Sequence, residues 1–170
     1  MAEFNRDVWA PWRMQYIESL SERDAGGCFL CRHVAAPQDD PQNHVLWRSP
    51  KSLVVLNRYP YNTGHLLVAP TEHRAELEDL SDDVLCEMVW RIRDAKRVLQ
   101  RTLHPQGFNI GMNLGRCAGA GVPDHLHWHI VPRWGGDTNF MPVIADTKVI
   151  PEALDRTYEK LLQAARELGL

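Results

Sequence analysis

His125-Leu-His127-Trp-His129-Ile-Val131 alternates imidazoles with apolar side chains over seven residues. Strand side chains point to opposite faces in turn. The pattern therefore predicts a β-strand with three histidines on one face and Leu126, Trp128 and Ile130 turned into a core. At ~3.3 Å per residue, neighbouring histidines sit ~6.6 Å apart, close enough to share one substrate. A neutral imidazole is a nucleophile near neutral pH, and a charged neighbour holds a phosphate oxygen. Directly upstream lies a glycine-bearing loop, Gly115-Arg-Cys-Ala-Gly-Ala-Gly121. Such loops let a backbone approach phosphate closely and offer it N–H groups.

Working outward, Val45–Arg48 and Ser52–Asn57 read as strands, and Tyr59-Pro-Tyr-Asn-Thr-Gly64 as a turn. His65–Ala69, Phe108–Asn113 and Leu126–Val131 are further strands. Ser81-Asp-Asp-Val opens a helix with acidic residues in its first turn. Leu85, Met88, Val89, Ile92, Ala95, Val98 and Leu99 then recur at helical spacing to about Leu103. Pro151–Leu168 is a second amphipathic helix, and Ala36–Asn43 is a loop by composition. The expectation is an α+β fold, a mainly antiparallel sheet with one long central helix and a C-terminal helix. One domain spans 1–170: an arm over 1–35, a core over 43–149 and the last helix over 150–170.

The formal net charge of −3 gives no basic surface for general nucleic-acid binding. No apolar run is long enough for a membrane span, and the first residues lack the apolar middle of a signal peptide. The expected location is cytoplasmic, with no nucleic-acid or membrane partner. In a reducing compartment the pair Cys28/Cys31 reads as metal-binding or redox-active rather than as a structural disulfide. By itself Cys28-x-x-Cys31 is a redox pair, a zinc half-site or two small core residues, and His33 and His44 are nearby further ligands. Gly26-Gly27 does not supply the strand-to-helix context of a thioredoxin-like motif. Cys86 is expected to be a buried thiol on the long helix, and Cys117 a loop residue.

The alternating stretch matches the His-φ-His-φ-His-φ-φ signature, φ being hydrophobic, and so resembles the histidine-triad superfamily. Leu56-Asn-Arg-Tyr-Pro-Tyr-Asn-Thr-Gly-His65, with Leu-Leu-Val-Ala-Pro70 after it, resembles that family's ribose-binding turn and following strand. Gly111-Met-Asn-Leu-Gly115 and the glycines beyond it resemble its phosphate loop. Trp9-Ala-Pro-Trp-Arg-Met14, Glu76-Leu-Glu-Asp-Leu80 and Pro132-Arg-Trp-Gly-Gly-Asp137 are similar to the bacterial diadenosine tetraphosphate phosphorylase-like branch.

The resemblance implies a nucleotidyl transferase acting on dinucleoside polyphosphates. In it His127 is the nucleophile and His129 holds the transferred phosphoryl group or the leaving oxygen. Asn57 contacts ribose and Asn113 the α-phosphate region, with Gly119 and Gly121 beside the phosphates. For Asn57 the alternative is a turn residue capping its own backbone. Many relatives place Gln or Ser just before the triad. Here Ala120-Gly-Val-Pro-Asp124 has neither, leaving backbone N–H groups, water or Arg116 to substitute. The resemblance also implies a structural zinc on Cys28, Cys31, His73 and His125, and a homodimer, for which Trp9, Trp12 and Trp90 supply apolar surface. Arg116, Arg133 and Lys148 are candidate phosphate donors. The competing readings are a hydrolase of dinucleoside polyphosphates or nucleoside phosphoramidates, a zinc hydrolase using His125 and His127, and a non-catalytic nucleotide sensor.

Overall fold

The computed structural model describes residues 27–138 and 150–170. Trp9, Trp12, the arm up to residue 26 and Lys148 lie outside the described residues. Within them the chain runs α1 (Phe29–Ala35), a 3₁₀ turn (Pro37–Asp39), α2 (Asp40–Asn43), β1 (Val45–Arg48), β2 (Ser52–Leu56) and β3 (Leu66–Pro70). It continues with α3 (Asp82–Leu103), β4 (Gly107–Met112), β5 (Trp128–Arg133) and α4 (Leu154–Glu167). The five strands form one sheet in the order β1-β2-β3-β5-β4, and every neighbouring pair is antiparallel. This is the α+β architecture expected from the sequence.

The central strands read as continuous apolar runs, Leu53-Val-Val-Leu56 and Leu66-Leu-Val-Ala69, because both faces of the sheet are covered. On one face Leu56, Leu66, Val68, Leu126 and Ile130 pack against Val84, Met88, Ala95, Val98 and Leu99 of α3 and against Tyr158, Leu161 and Ala165 of α4. The Tyr158 hydroxyl donates to the Val45 carbonyl at 3.0 Å, tying α4 to β1. On the other face Val45, Leu53, Val55, Leu67 and Ala69 meet Leu30 of α1, with Phe29 and Val34 at the margin. A bulge in β1 between Val45 and Trp47 shifts the register, and Leu46 and Trp47 both end in the α3/α4 core.

Several boundaries differ from the sequence reading. Ala36–Asn43, expected as loop, holds the 3₁₀ turn and α2; a proline sits in the first turn of each, where its missing N–H costs nothing. Cys28 and Cys31 begin a short helix that periodicity did not reveal, since seven residues are too few for a pattern. Cys86, expected as buried, is exposed on α3. The helix from Ser81 to Leu103 was legible from its apolar spacing and its acidic first turn.

Candidate active site

The histidines lie on the α1 side of the sheet. His129 pairs with Leu67 of β3 and Gly111 of β4, whereas His125, in a bend, and His127 form a lead-in before the paired part of β5 begins at Trp128. The alternation holds through that lead-in. Leu126 and Ile130 enter the α3 core, His125 and His127 are buried among the opposite-face groups, and His129 is half-buried. The Leu126 N–H donates to the Arg74 carbonyl at 2.6 Å, which fixes the lead-in beside the segment after β3.

Each imidazole has a different partner, and the partners decide where the protons are. A carbonyl only accepts. His125 therefore donates Nε2–H to the Pro70 carbonyl at 2.9 Å, and its Nδ1 is left with a lone pair. That Nδ1 lies 3.2 Å from Cys28 Sγ, 3.5 Å from Cys31 Sγ and 3.3 Å from His73 Nδ1, and Cys31 Sγ lies 3.1 Å from His73 Nδ1. All four donor atoms fall within 4.8 Å of one another. Tetrahedral bonds of ~2.3 Å to sulfur and ~2.0–2.1 Å to nitrogen imply donor separations of about 3.3–3.8 Å. Four of the six donor pairs, at 3.1–3.5 Å, are within a few tenths of an ångström of that geometry. Burial, and then the neighbouring Cys28, push the Cys31 thiol up; a cation held by the four donors would reverse that preference. Burial pulls the His125 pKa down, toward the neutral ligand form. The two cysteines come from the start of α1, His73 from the segment after β3 and His125 from the triad, so the cluster joins three parts of the fold.

His127 has the opposite tautomer. Its Nδ1 lies 2.8 Å from the His125 carbonyl and must carry the proton, leaving the Nε2 lone pair for chemistry. Burial lowers its pKa, a hydrogen bond to that carbonyl partly offsetting the effect, and the ring is neutral where an ordinary histidine begins to charge. Its centroid is 4.9 Å from that of His129. His129 in turn is 2.9 Å, Nδ1 to Nε2, from His65 at the start of β3. The sequence reading placed His65 in the turn and at the start of the following strand, with no role in the site. Its signal was present: it stands two residues before Leu67, the strand partner of His129, and so on the same face.

The remaining candidates lie in loops. Asn57 Oδ1 accepts the Tyr59 N–H at 3.0 Å, and its Nδ2 is 3.2 Å from His65 Nδ1. The turn-capping alternative is therefore realised, alongside any contact to substrate. Continuing the β4–β5 register one step beyond Met112 brings Asn113 level with His127. Asn113 Nδ2 donates to the Gly119 carbonyl at 3.4 Å, which holds the glycine loop. Gly119 has a φ of 84° after a 3₁₀ turn at Arg116–Ala118, and its N–H is taken by the Arg116 carbonyl at 3.0 Å. Gly121 follows in the same loop. Arg133 is not the available phosphate donor its position suggested. Its guanidinium is bound to Asp137 at 2.6 and 2.9 Å and to Asn109 at 2.8 Å. That guanidinium, with the Trp134 N–H, holds the Asp137 carboxyl well below the usual carboxylate range.

An antiparallel five-stranded sheet with three imidazoles on one face, two of them held as opposite tautomers, together with a Cys2His2 cluster, defines a histidine-triad domain. Residues 38–136 match the family model described as HIT domain, and the chain belongs to that family. It is 42% identical over 154 residues to the AP-4-A phosphorylase of Mycobacterium tuberculosis, covering 88% of this chain and 79% of that one. It is 34% identical over 106 residues to the adenosine 5'-monophosphoramidase hnt1 of Schizosaccharomyces pombe, covering 62% of this chain and 74% of that one. Among solved structures, a Zn-bound histidine triad family protein from Mycobacterium smegmatis superposes with a TM-score of 0.68 at 26% identity, over 84% of this chain and 96% of that one.

Proposed function

We propose that this enzyme transfers a nucleotidyl group from a dinucleoside polyphosphate to inorganic phosphate, with diadenosine tetraphosphate as the substrate. The observation that carries the reading is the His127 ring. It is buried and neutral, and its proton is held on Nδ1 by the His125 carbonyl, so Nε2 is a lone pair fixed in direction beside His129. Phosphate oxygens repel anionic nucleophiles, and a preoriented neutral imidazole avoids that repulsion. Nε2 attacks the α-phosphorus of one adenylyl end, the bond from that phosphorus to its bridging oxygen breaks, and ATP departs. Phosphate then attacks the adenylyl-histidine, the phosphorus–nitrogen bond breaks, and ADP forms while His127 is restored. His129 hydrogen-bonds the transferred group, Asn57 binds ribose, and Asn113 with the Gly119 and Gly121 backbone lies along the phosphates.

Cys28, Cys31, His73 and His125 would hold a structural zinc, which supplies cross-linking and takes no part in the transfer. The donor geometry supports this, and so does the zinc in the mycobacterial structure. A closed set of four protein ligands leaves no open position of the kind a zinc hydrolase needs. The 42% identity to a phosphorylase favours phosphate over water as acceptor.

Diadenosine tetraphosphate with labelled inorganic phosphate tests the assignment. The expected products are ATP and labelled ADP, at a rate that rises with phosphate. ATP and AMP with no label in ADP, and indifference to phosphate, would make the enzyme a hydrolase instead.

A further inference from the structure

The Asp137 carboxylate gathers donors from three parts of the chain. Its Oδ2 accepts from Arg133 Nε at 2.6 Å, from Asn62 Nδ2 at 2.9 Å and from the Trp134 N–H at 3.1 Å. Its Oδ1 accepts from the second Arg133 nitrogen at 2.9 Å and from Thr138 Oγ1 at 3.2 Å. Arg133 reaches on to Asn109 Oδ1 at 2.8 Å. Val131, two residues from His129, pairs with Asn109 of β4, and Arg133 follows two residues later. Asn109 and Arg133 therefore lie on the triad face. The relay Asn109–Arg133–Asp137–Asn62 crosses the ends of β4 and β5 and reaches the turn before β3. Bonds to an ionised carboxylate are roughly twice as strong as neutral ones, so this is a firm tie.

The turn 57–65 transmits it. Asn62 is 5% exposed, and every polar atom of its side chain is engaged: Nδ2 on Asp137 and on the Pro132 carbonyl at 3.1 Å, Oδ1 by the Thr63 N–H at 3.2 Å. Within the turn the His65 N–H donates to the Asn62 carbonyl at 3.1 Å, and the Asn57 N–H to the His65 carbonyl at 2.8 Å. Two hydrogen bonds thus connect Asn62 to Asn57. Asn57 Oδ1 accepts the Tyr59 N–H at 3.0 Å, and its second lone pair suits a sugar O–H.

We propose that Asp137 is a positioning residue that clamps the turn 57–65 to the segment after the triad, through Asn62, and so fixes Asn57 where it meets the ribose hydroxyls. Preference for a ribose over a deoxygenated sugar is then set by a carboxylate that touches no substrate. Arg133 serves as the buttress of that carboxylate. A hydrogen bond to a sugar hydroxyl is lost with a small displacement of its partner, which is why the turn must be tied. The proposal rests on the assignment of Asn57 to ribose in the reading above, and is independent of whether phosphate or water is the acceptor.

Titration calorimetry with adenosine 5'-diphosphate and its 2',3'-dideoxy analogue is the test. The wild type is expected to bind the ribose form at least about tenfold more tightly, since a site built to hydrogen-bond a hydroxyl rejects the ligand lacking it. Asp137→Ala and Asn62→Ala are each expected to shrink that preference below about threefold, by weakening the ribose form alone. Asn62→Ala leaves the Arg133–Asp137 pair intact, so it reads the clamp even where Asp137→Ala does not fold. In turnover of diadenosine tetraphosphate, KM should rise at least about fivefold in these variants, by more than kcat falls. A wild-type preference that survives in Asn62→Ala overturns the clamp. Equal weakening of both sugars makes the contact merely structural and overturns it as well. A wild type indifferent to the sugar overturns the proposal one step earlier, at the assignment of Asn57 to ribose.

Discussion

His125 and His127 are the same side chain two positions apart, yet their hydrogen bonds put the proton on opposite nitrogens. This makes them unequal under substitution. On the proposed reaction His127→Asn removes the nitrogen that bonds to phosphorus, and turnover of diadenosine tetraphosphate should fall by at least about a thousandfold, ~4 kcal/mol of activation free energy. Nucleotide affinity, measured by calorimetry, should change little, because the lost interaction is made only on the way to the transition state. Turnover above about a tenth of wild type in that variant (a loss under ~1.4 kcal/mol) would remove His127 from the role of nucleophile.

The turn between β2 and β3 depends on Gly64, whose φ of 76° is a left-handed conformation that side chains disfavour. A Cβ there would stand 2.5 Å from Leu103 Cδ1 and 3.0 Å from Leu99 Cδ2. Gly64→Ala therefore adds backbone strain of ~1–2 kcal/mol to an overpacked contact with the end of α3 of ~1–3 kcal/mol. The melting temperature should drop by roughly 5 °C or more, at about 2–4 °C per kcal/mol for a chain of this size. His65 is the next residue, so kcat should fall with it. A melting curve within a degree of wild type would show that the turn relaxes freely and that this packing does not hold it.

The Cys2His2 cluster ties α1 to the segment after β3 and to the triad, elements far apart in sequence. Metal-replete protein should contain one zinc per chain by elemental analysis, and Cys28→Ser should lose most of it. Chelation should lower the melting temperature by several degrees, because binding energy that exists only in the folded state is folding energy. Protein that binds no zinc when replete would refute the assignment. One edge of the sheet is β4, with Ile110 exposed on it, and Val89 and Trp90 are exposed on α3. An edge strand and exposed apolar side chains both offer surface to a second copy. The expected species at micromolar concentration is a homodimer by light scattering. A monomeric mass would decide against it.

Much of this was legible in the chain itself. Alternation with period two is local, so His125-Leu-His-Trp-His129 disclosed the shared face of its histidines, although the paired strand itself begins only at Trp128. Apolar recurrence disclosed α3 from Asp82 to Leu103, and acidic residues marked its start. Short elements were not legible: α1 and α2 are too brief to show a period, and the prolines of Pro37-Gln-Asp-Asp-Pro41 read as loop where they begin helical turns. Nor was the fate of Arg133, because only the return of the chain after β5 brings Asp137 to it. The proton on each imidazole is the clearest case of a tertiary decision. His125 takes its tautomer from a carbonyl 55 residues away, and His129 meets a histidine 64 residues away. Composition and spacing specify which side chains share a face. Which nitrogen keeps the proton depends on partners that only the assembled sheet brings within hydrogen-bond reach.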